Sequence, residues 1–176
     1  KHYGYDDVYE EGLDQIESGD VAHPLGYRSI VIYRYYEPSS EDLGSGKKPD
    51  MRRFAKGLGD LILALKARMF PKGGSAKPDA NRPASPDDFR VYLVAHSMGG
   101  LVCRAFLQNP ELGDPEARRL VDKVFTYATP HNGIDVRGIG NVPEWLSVYG
   151  INTFNRDEIA KVLGLSGATR DGDAVD

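Results

Sequence analysis

Residues 95–100 read Ala-His-Ser-Met-Gly-Gly, directly after the apolar run Val91–Val94 and directly before Leu101, Val102 and Cys103. A plain strand needs no glycine pair, and a plain helix does not start on so sharp a turn. A serine at the tip of such a turn presents its hydroxyl outward, where it can attack an acyl carbon. The neighbours two residues before and two after must then be small so that strand and helix approach closely, and Ala95 and Gly99 meet that need. Gly100 lets the helix lie near the sheet. The amide of Met98, the residue after Ser97, points from a helix N-terminus towards the place where an oxyanion would form. The same pattern also suits a serine that only caps the helix, and that alternative stands beside the catalytic one.

The turn must be held by its elements. Residues 89–95, FRVYLVA, are predicted as a strand, and Gly99 to Gln108 as a short apolar helix. Residues 123–129, KVFTYAT, form a further strand that runs into PHNGIDVRGIGNVP. Upstream, RSIVIYRYY at 28–36 is β-branched and aromatic and is predicted as a buried strand. Asp50 then caps a helix to Met69, with Phe54, Leu58, Leu61, Ile62, Leu65 and Met69 along one side. A short helix is expected around Asp6 to Ile16, on Val8, Leu13 and Ile16. A helical turn is expected over Glu116 to Val121. Asn155 with Glu158 makes a capping-box start for a helix ending near Gly164. Residues 71–88, rich in Pro, Gly, Ala and Asp, read as an exposed, flexible insertion. The alternation of strand and helix predicts an α/β fold, a parallel sheet with helices on both faces, and the continuous apolar runs suit strands buried on both sides.

AHSMGG resembles the nucleophile elbow of the α/β-hydrolase superfamily, in its lipase and esterase members, with alanine in the first small position. A second stretch agrees. VFTYATPHNG, a strand ending in Thr-Pro-His-x-Gly, is similar to the strand and turn that follow the elbow helix in many such lipases. The resemblance covers roughly residues 28 to 135. It implies ester hydrolysis through an acyl-enzyme at Ser97, with Met98 N–H as one oxyanion donor and no metal or organic cofactor. It also implies a small-molecule ester with an apolar acyl group as substrate. Residues 134–165 are a candidate lid over the serine, or ordinary packing on the sheet; the apolar set Ile139 to Phe154 serves either.

A serine hydroxyl needs a histidine as base and an acid to orient it. In this superfamily both follow the serine in sequence. His131, in the TPHNG turn, is the single histidine after Ser97. It is the in-chain candidate for the base, although in the resembling lipases the histidine of that turn looks structural and the catalytic one comes later. His96 should leave the turn in another direction, and His2 and His23 lie upstream. Asp122, Asp135, Asp157, Asp171 and Asp173 have no spacing that singles one out as the acid. The second oxyanion donor usually sits near a His-Gly pair ahead of the first helix, and no such pair occurs here. Residues 1–176 are therefore expected to be a single, partial α/β-hydrolase domain, with the first strands and the acid–histidine end lying elsewhere, or else a degenerate relative. A non-catalytic binding protein with the same fold is the alternative from another class, and an acyltransferase or amidase is the alternative among enzymes.

The bulk composition narrows the field. Hydrophobic residues make up 40% and charged residues 27% of the 176 residues, as in an ordinary globular domain. A net charge of −4 gives no footing for nucleic acid. No apolar run approaches the roughly 18 residues that span a bilayer. The one cysteine, Cys103, excludes an internal disulfide; on the elbow helix it reads as a small buried hydrophobe. No metal-ligand spacing, phosphate loop or nucleotide fingerprint is present.

Overall fold

A computed structural model describes residues 7–12, 29–35, 50–70, 85–133 and 156–165. The first described element is a strand, β1 (Asp7–Gly12), and it pairs in parallel with β2 (Ser29–Arg34), from Asp7 against Ser29 to Gly12 against Arg34. This corrects the helix expected over Asp6 to Ile16. The three apolar residues behind that expectation, spaced by five and three, make a weak helical stripe. Val8 and Tyr9 favour a pleated ladder, and the backbone of β2 supplies one; partner pairing outweighs a marginal local preference.

The next helix, α1 (Met51–Met69), lies where the spacing predicts it. The Asp50 carboxylate accepts from the amides of Arg52 at 3.0 Å and Arg53 at 3.2 Å, which satisfies two of the four free N-terminal donors and stabilises the helix by about 1 kcal/mol. Lys66 and Arg68 stand in the last turn, where the helix dipole favours cations. Most of the 71–88 insertion lies outside the described residues. Its end is a single 3₁₀ turn, Pro86–Asp88, capped by the Ser85 hydroxyl.

The serine unit comes next: β3 (Val91–His96), α2 (Met98–Gln108), α3 (Pro115–Arg119) and β4 (Val121–Tyr127). Strands β3 and β4 pair in parallel, with a register shift between Val91 and Tyr92. Both strand boundaries differ from expectation. Phe89 closes the 3₁₀ turn and is buried, so β3 starts two residues later than predicted. Strand β4 starts two residues earlier and stops at Tyr127, because Ala128 turns to φ 49° and breaks the extended chain. Helix α4 (Arg156–Leu163) ends at Gly164, whose φ of 76° makes it the left-handed C-terminal residue that the sequence predicts. Asn155, the expected cap, lies outside the described residues, as does 134–155.

Alternate residues of the strands part company. Val31, Tyr33, Tyr35, Val91, Leu93 and Ala95 pack against a core built from α1, α2, α3 and α4, with Phe106 at its centre and wholly buried. On the other side Ile30, Ile32, Tyr92 and Val94 are exposed, Val94 to 81%. Burial on both faces, expected from the continuous apolar runs, is thus met among the described residues on one face only of β2 and β3, while β4 is exposed on both faces, Phe125 and Tyr127 included. The buried Asn109 ties α4 to the core. Its side-chain amide donates to the carbonyl of Val162 at 2.9 Å, and its Oδ1 accepts from the amide of Glu111 at 3.0 Å. Both polar ends of a buried side chain are thereby satisfied.

Candidate functional site

Ser97 is a single residue between the last residue of β3 and the first of α2, at φ 52° and ψ −123°. A residue with a side chain avoids such a conformation, which costs on the order of 1–3 kcal/mol and persists only when its surroundings enforce it. Here they do. The Ser97 amide donates to the carbonyl of Tyr127 at 2.8 Å, which binds the tip of the turn to the end of β4. The Ser97 carbonyl accepts from the amide of Gly100 at 3.1 Å, which starts the helix. The Ser97 side chain makes no capping bond to the helix, so capping does not explain why a serine stands there.

The small residues have specific neighbours. A methyl group on Gly99 would sit 3.6 Å from the Ala95 Cβ and 3.4 Å from the Tyr35 hydroxyl. On Gly100 it would lie 2.6 Å from Thr129 Cγ2 and 2.8 Å from Thr129 Cβ, closer than atoms can approach. Gly100 is therefore required by the Thr129 side chain, and the elbow helix can reach the sheet only because that position is bare. Met98 opens α2 with its side chain buried. Its amide is among the first four of the helix, which have no intrahelical acceptor, and it lies next to Ser97.

His131 sits in a network of its own. Its Nε2 is 3.0 Å from the Thr126 hydroxyl, and its Nδ1 is 3.4 Å from Arg104 Nη1. The same Nη1 donates to the His131 carbonyl at 3.0 Å. A guanidinium only donates, so Nδ1 accepts and the ring proton belongs on Nε2, facing Thr126. Burial, and then the positive charge of Arg104, lower the His131 pKa below its ordinary value, which keeps the imidazole neutral. Both ring nitrogens are thus engaged, one by α2 and one by β4. Burial also lowers the pKa of Arg104, and its Nη2 is buried with no hydrogen-bond partner among the described residues.

Two further groups beside the elbow helix stay neutral. Burial, with a smaller contribution from Cys103, pushes the Tyr35 phenol up to about 12. Burial pushes the Cys103 thiol up to about 11, so it is no thiolate nucleophile at neutral pH. Tyr35 packs on Phe54 in a tilted arrangement, ring centroids 5.0 Å apart, with its hydroxyl beside Gly99. His96 is exposed and lies beside Tyr127 across the strand pair, centroids 6.0 Å apart. Asp122 is exposed, 3.9 Å from Lys123 Nζ. Among the described residues no group of three or more His, Cys, Asp or Glu could hold a metal ion.

The structure thus brings together Ala95, Ser97, Met98, Gly99 and Gly100 at one turn and sets His131 into a separate cluster. His2, His23, Asp135, Asp171 and Asp173 lie outside the described residues. Sequence reasoning missed the supports: Tyr35, Arg104, Thr126 and Thr129. One signal was available for Arg104. It stands seven residues after Ser97 on an otherwise apolar helix, two turns along the same side, and a long cation there needs a partner.

Comparison with known protein families matches residues 60–156, more than half of the chain, to a PGAP1-like alpha/beta domain. The match runs from inside α1, through the serine turn and the His131 turn, to the start of α4. No curated protein and no solved structure matches the chain.

Proposed function

The chain belongs to the PGAP1-like alpha/beta domain family, within the α/β-hydrolase superfamily, and from that premise we propose that it is a serine hydrolase acting on a carboxylic ester through an acyl-enzyme at Ser97. The observation that carries this reading is the Ser97 backbone. A side-chain-bearing residue held at positive φ between strand and helix, with its hydroxyl uncommitted to the helix, is an arrangement that a simple connection does not need.

In this reading the Ser97 oxygen attacks the ester carbonyl carbon while a histidine takes the serine proton. The Met98 amide donates to the oxygen that becomes negative, with the partial positive charge of the α2 N-terminus behind it. Collapse of the tetrahedral intermediate breaks the bond to the alcohol oxygen, which leaves with the proton. Water then attacks the acyl-serine by the reverse path and releases the acid. Ala95, Gly99 and Gly100 let strand and helix close on the turn. The histidine of this scheme is assigned outside the described residues, because His131 could act as base only by leaving Thr126. A small-molecule ester with an apolar acyl group is the substrate class that the family resemblance favours. No described helix is long and apolar enough to cross a membrane.

The engagement of both His131 nitrogens also favours a second reading, a hydrolase-fold protein that binds without turnover. A fluorophosphonate probe separates the two. Labelling of the wild type that is lost in Ser97→Ala supports the hydrolase. If neither this chain nor the open reading frame that contains it labels, the hydrolase reading is wrong. Hydrolysis of p-nitrophenyl esters against the matching anilides then distinguishes esterase from amidase.

A further inference from the structure

The His131 cluster joins two elements that the serine turn depends on. Arg104 lies on α2, the helix that starts at the elbow. Thr126 lies near the end of β4, and His131 lies in the turn after it. That turn carries Thr129, whose side chain occupies the space beside Gly100. It is closed by the His131 amide donating to the Thr129 carbonyl at 2.9 Å and by the Gly133 amide donating to the Pro130 carbonyl at 3.0 Å. Anything that fixes His131 therefore fixes Thr129, and Thr129 presses on the first turn of the elbow helix. The strand before it ends at Tyr127, whose carbonyl takes the Ser97 amide.

From this connectivity, and resting on the hydrolase reading above, we infer that Arg104 is a positioning residue for Ser97: it holds His131 as the Nε2–H tautomer against Thr126 and so seats the 129–133 turn under the elbow. Its guanidinium makes two contacts with one residue, to the ring and to the carbonyl, which fixes both the turn and the ring plane. The Gln108 side chain, 3.3 Å from Arg104 Nε, aligns the guanidinium from its own helix. Among the described residues no carboxylate pairs with Arg104. A structural ion pair would be the ordinary reason for an arginine on a packed helix, and here histidine takes that place. His131 is then a neutral link in a support, and Ser97 draws its proton acceptor from elsewhere.

Nitrogen-15 NMR of the histidine ring tests the clamp without any appeal to turnover. The wild type is expected to show His131 as the Nε2–H tautomer. Arg104→Met, which keeps length but removes donors and charge, is expected to raise the His131 pKa and to mix the tautomers. Arg104→Lys, which restores one donor and the charge, should return most of the wild-type signature. The rate of Ser97 labelling by the fluorophosphonate should fall by about tenfold to a hundredfold in Arg104→Met, the scale of a reacting group displaced by about 1 Å, and recover in part in Arg104→Lys. His131→Asn serves as the second variant, since its Oδ1 falls where Nδ1 accepts from Arg104. It should slow labelling by less than about tenfold, whereas loss of a general base costs about a hundredfold or more. A wild-type Nδ1–H tautomer, or a ring unmoved by Arg104→Met, overturns the clamp. Labelling abolished in a folded His131→Asn overturns it as well, by making His131 the base. If the wild type does not label at all, the hydrolase reading falls, positioning of a nucleophile falls with it, and the NMR result alone decides whether the Arg104–His131 clamp exists.

Discussion

The two paired strands β3 and β4 end in the same unusual way. Each runs into a non-glycine residue at positive φ, Ser97 at 52° and Ala128 at 49°, the two such residues among those described. Beyond these residues the two paths diverge. After Ser97 the chain enters an 11-residue helix at once, with three small or bare positions around the turn. After Ala128 it enters a short turn fastened by side chains, Thr126, His131 and Arg104. At Ser97 the bend delivers a hydroxyl and a helix N-terminus to one place. At Ala128 it delivers only a methyl group, but it swings Thr129 into the slot left open by Gly100. A positive φ thus has two uses. One end presents chemistry, and the other fills space and holds the first in place.

Substitution at the serine end should separate them most widely. If Ser97 is the nucleophile, Ser97→Ala lowers ester turnover by on the order of 10⁵-fold or more, while Ala128→Ser leaves turnover within about twofold. Loss of turnover in neither would erase the division of roles between the two strand ends. The contact between the two ends gives the next largest effect. Gly100→Ala places a methyl group 2.6 Å from Thr129 Cγ2, and overpacking of this kind costs about 1–3 kcal/mol. Chemical denaturation should register that loss, and Thr129→Ala in the same chain should recover part of it, with a coupling of about 0.5–3 kcal/mol. Strict additivity would mean that α2 yields to Thr129 at no cost.

These contacts also explain what could be read from the amino acids alone. The elbow was legible because its constraints are local: a small residue on either side, an apolar strand before and an apolar helix after, all within Val91–Phe106. Helix α1 was legible because Asp50 and six apolar residues at helical spacing agree. Strand β1 was not, because Val8 and Tyr9 form a strand only when β2 lies alongside, and no spacing within Asp7–Gly12 encodes that neighbour. The supports of the elbow were hidden for the same reason. Thr129 against Gly100, Tyr35 against Gly99 and Arg104 on His131 are separated by 27 residues or more, and each is visible only once the sheet is assembled. The bare strand face was misjudged because Ile30, Ile32, Tyr92 and Val94 are as apolar as their half-buried neighbours. Hydropathy does not say which of two apolar faces finds a partner.

The turn after Ala128 should respond to pH. The His131 pKa is lowered by burial and then by Arg104, so protonation is harder in the folded state than in the unfolded chain. Its contribution to stability is complete above about pH 6.5, the ordinary histidine value, and is lost as the pH falls through the lower folded value. Among the described residues Arg104 is the charged group in contact with the ring, and a protonated His131 would meet that cation directly. The thermal midpoint of the wild type should therefore drop on acidification from about pH 7 to 5. His131→Asn, which does not titrate, should drop less over that interval. Equal slopes would remove His131 from the account of the turn.

The smallest expected effect tests whether the two bends are alike in strain. Ala128 is exposed, so replacing it by glycine removes no buried contact and only the backbone terms remain. Glycine relieves a left-handed conformation that costs a residue with a side chain roughly 1–2 kcal/mol, and it enlarges the unfolded ensemble at a cost of about 0.4–1 kcal/mol. Ala128→Gly should therefore be neutral or stabilising by about 1 kcal/mol, read as a higher denaturation midpoint at unchanged slope. Ser97→Gly relieves a positive φ of its own, at ψ −123°, and enlarges the unfolded ensemble likewise, so it should also gain while losing the hydroxyl. Similar gains at both positions would mean that the backbone bend is equally strained at each and that only the side chain makes one of them a nucleophile position. A clear loss at 128 with a gain at 97 would mean that Ala128 is held by contacts rather than strained, and the symmetry between the two strand ends would be confined to their positive φ.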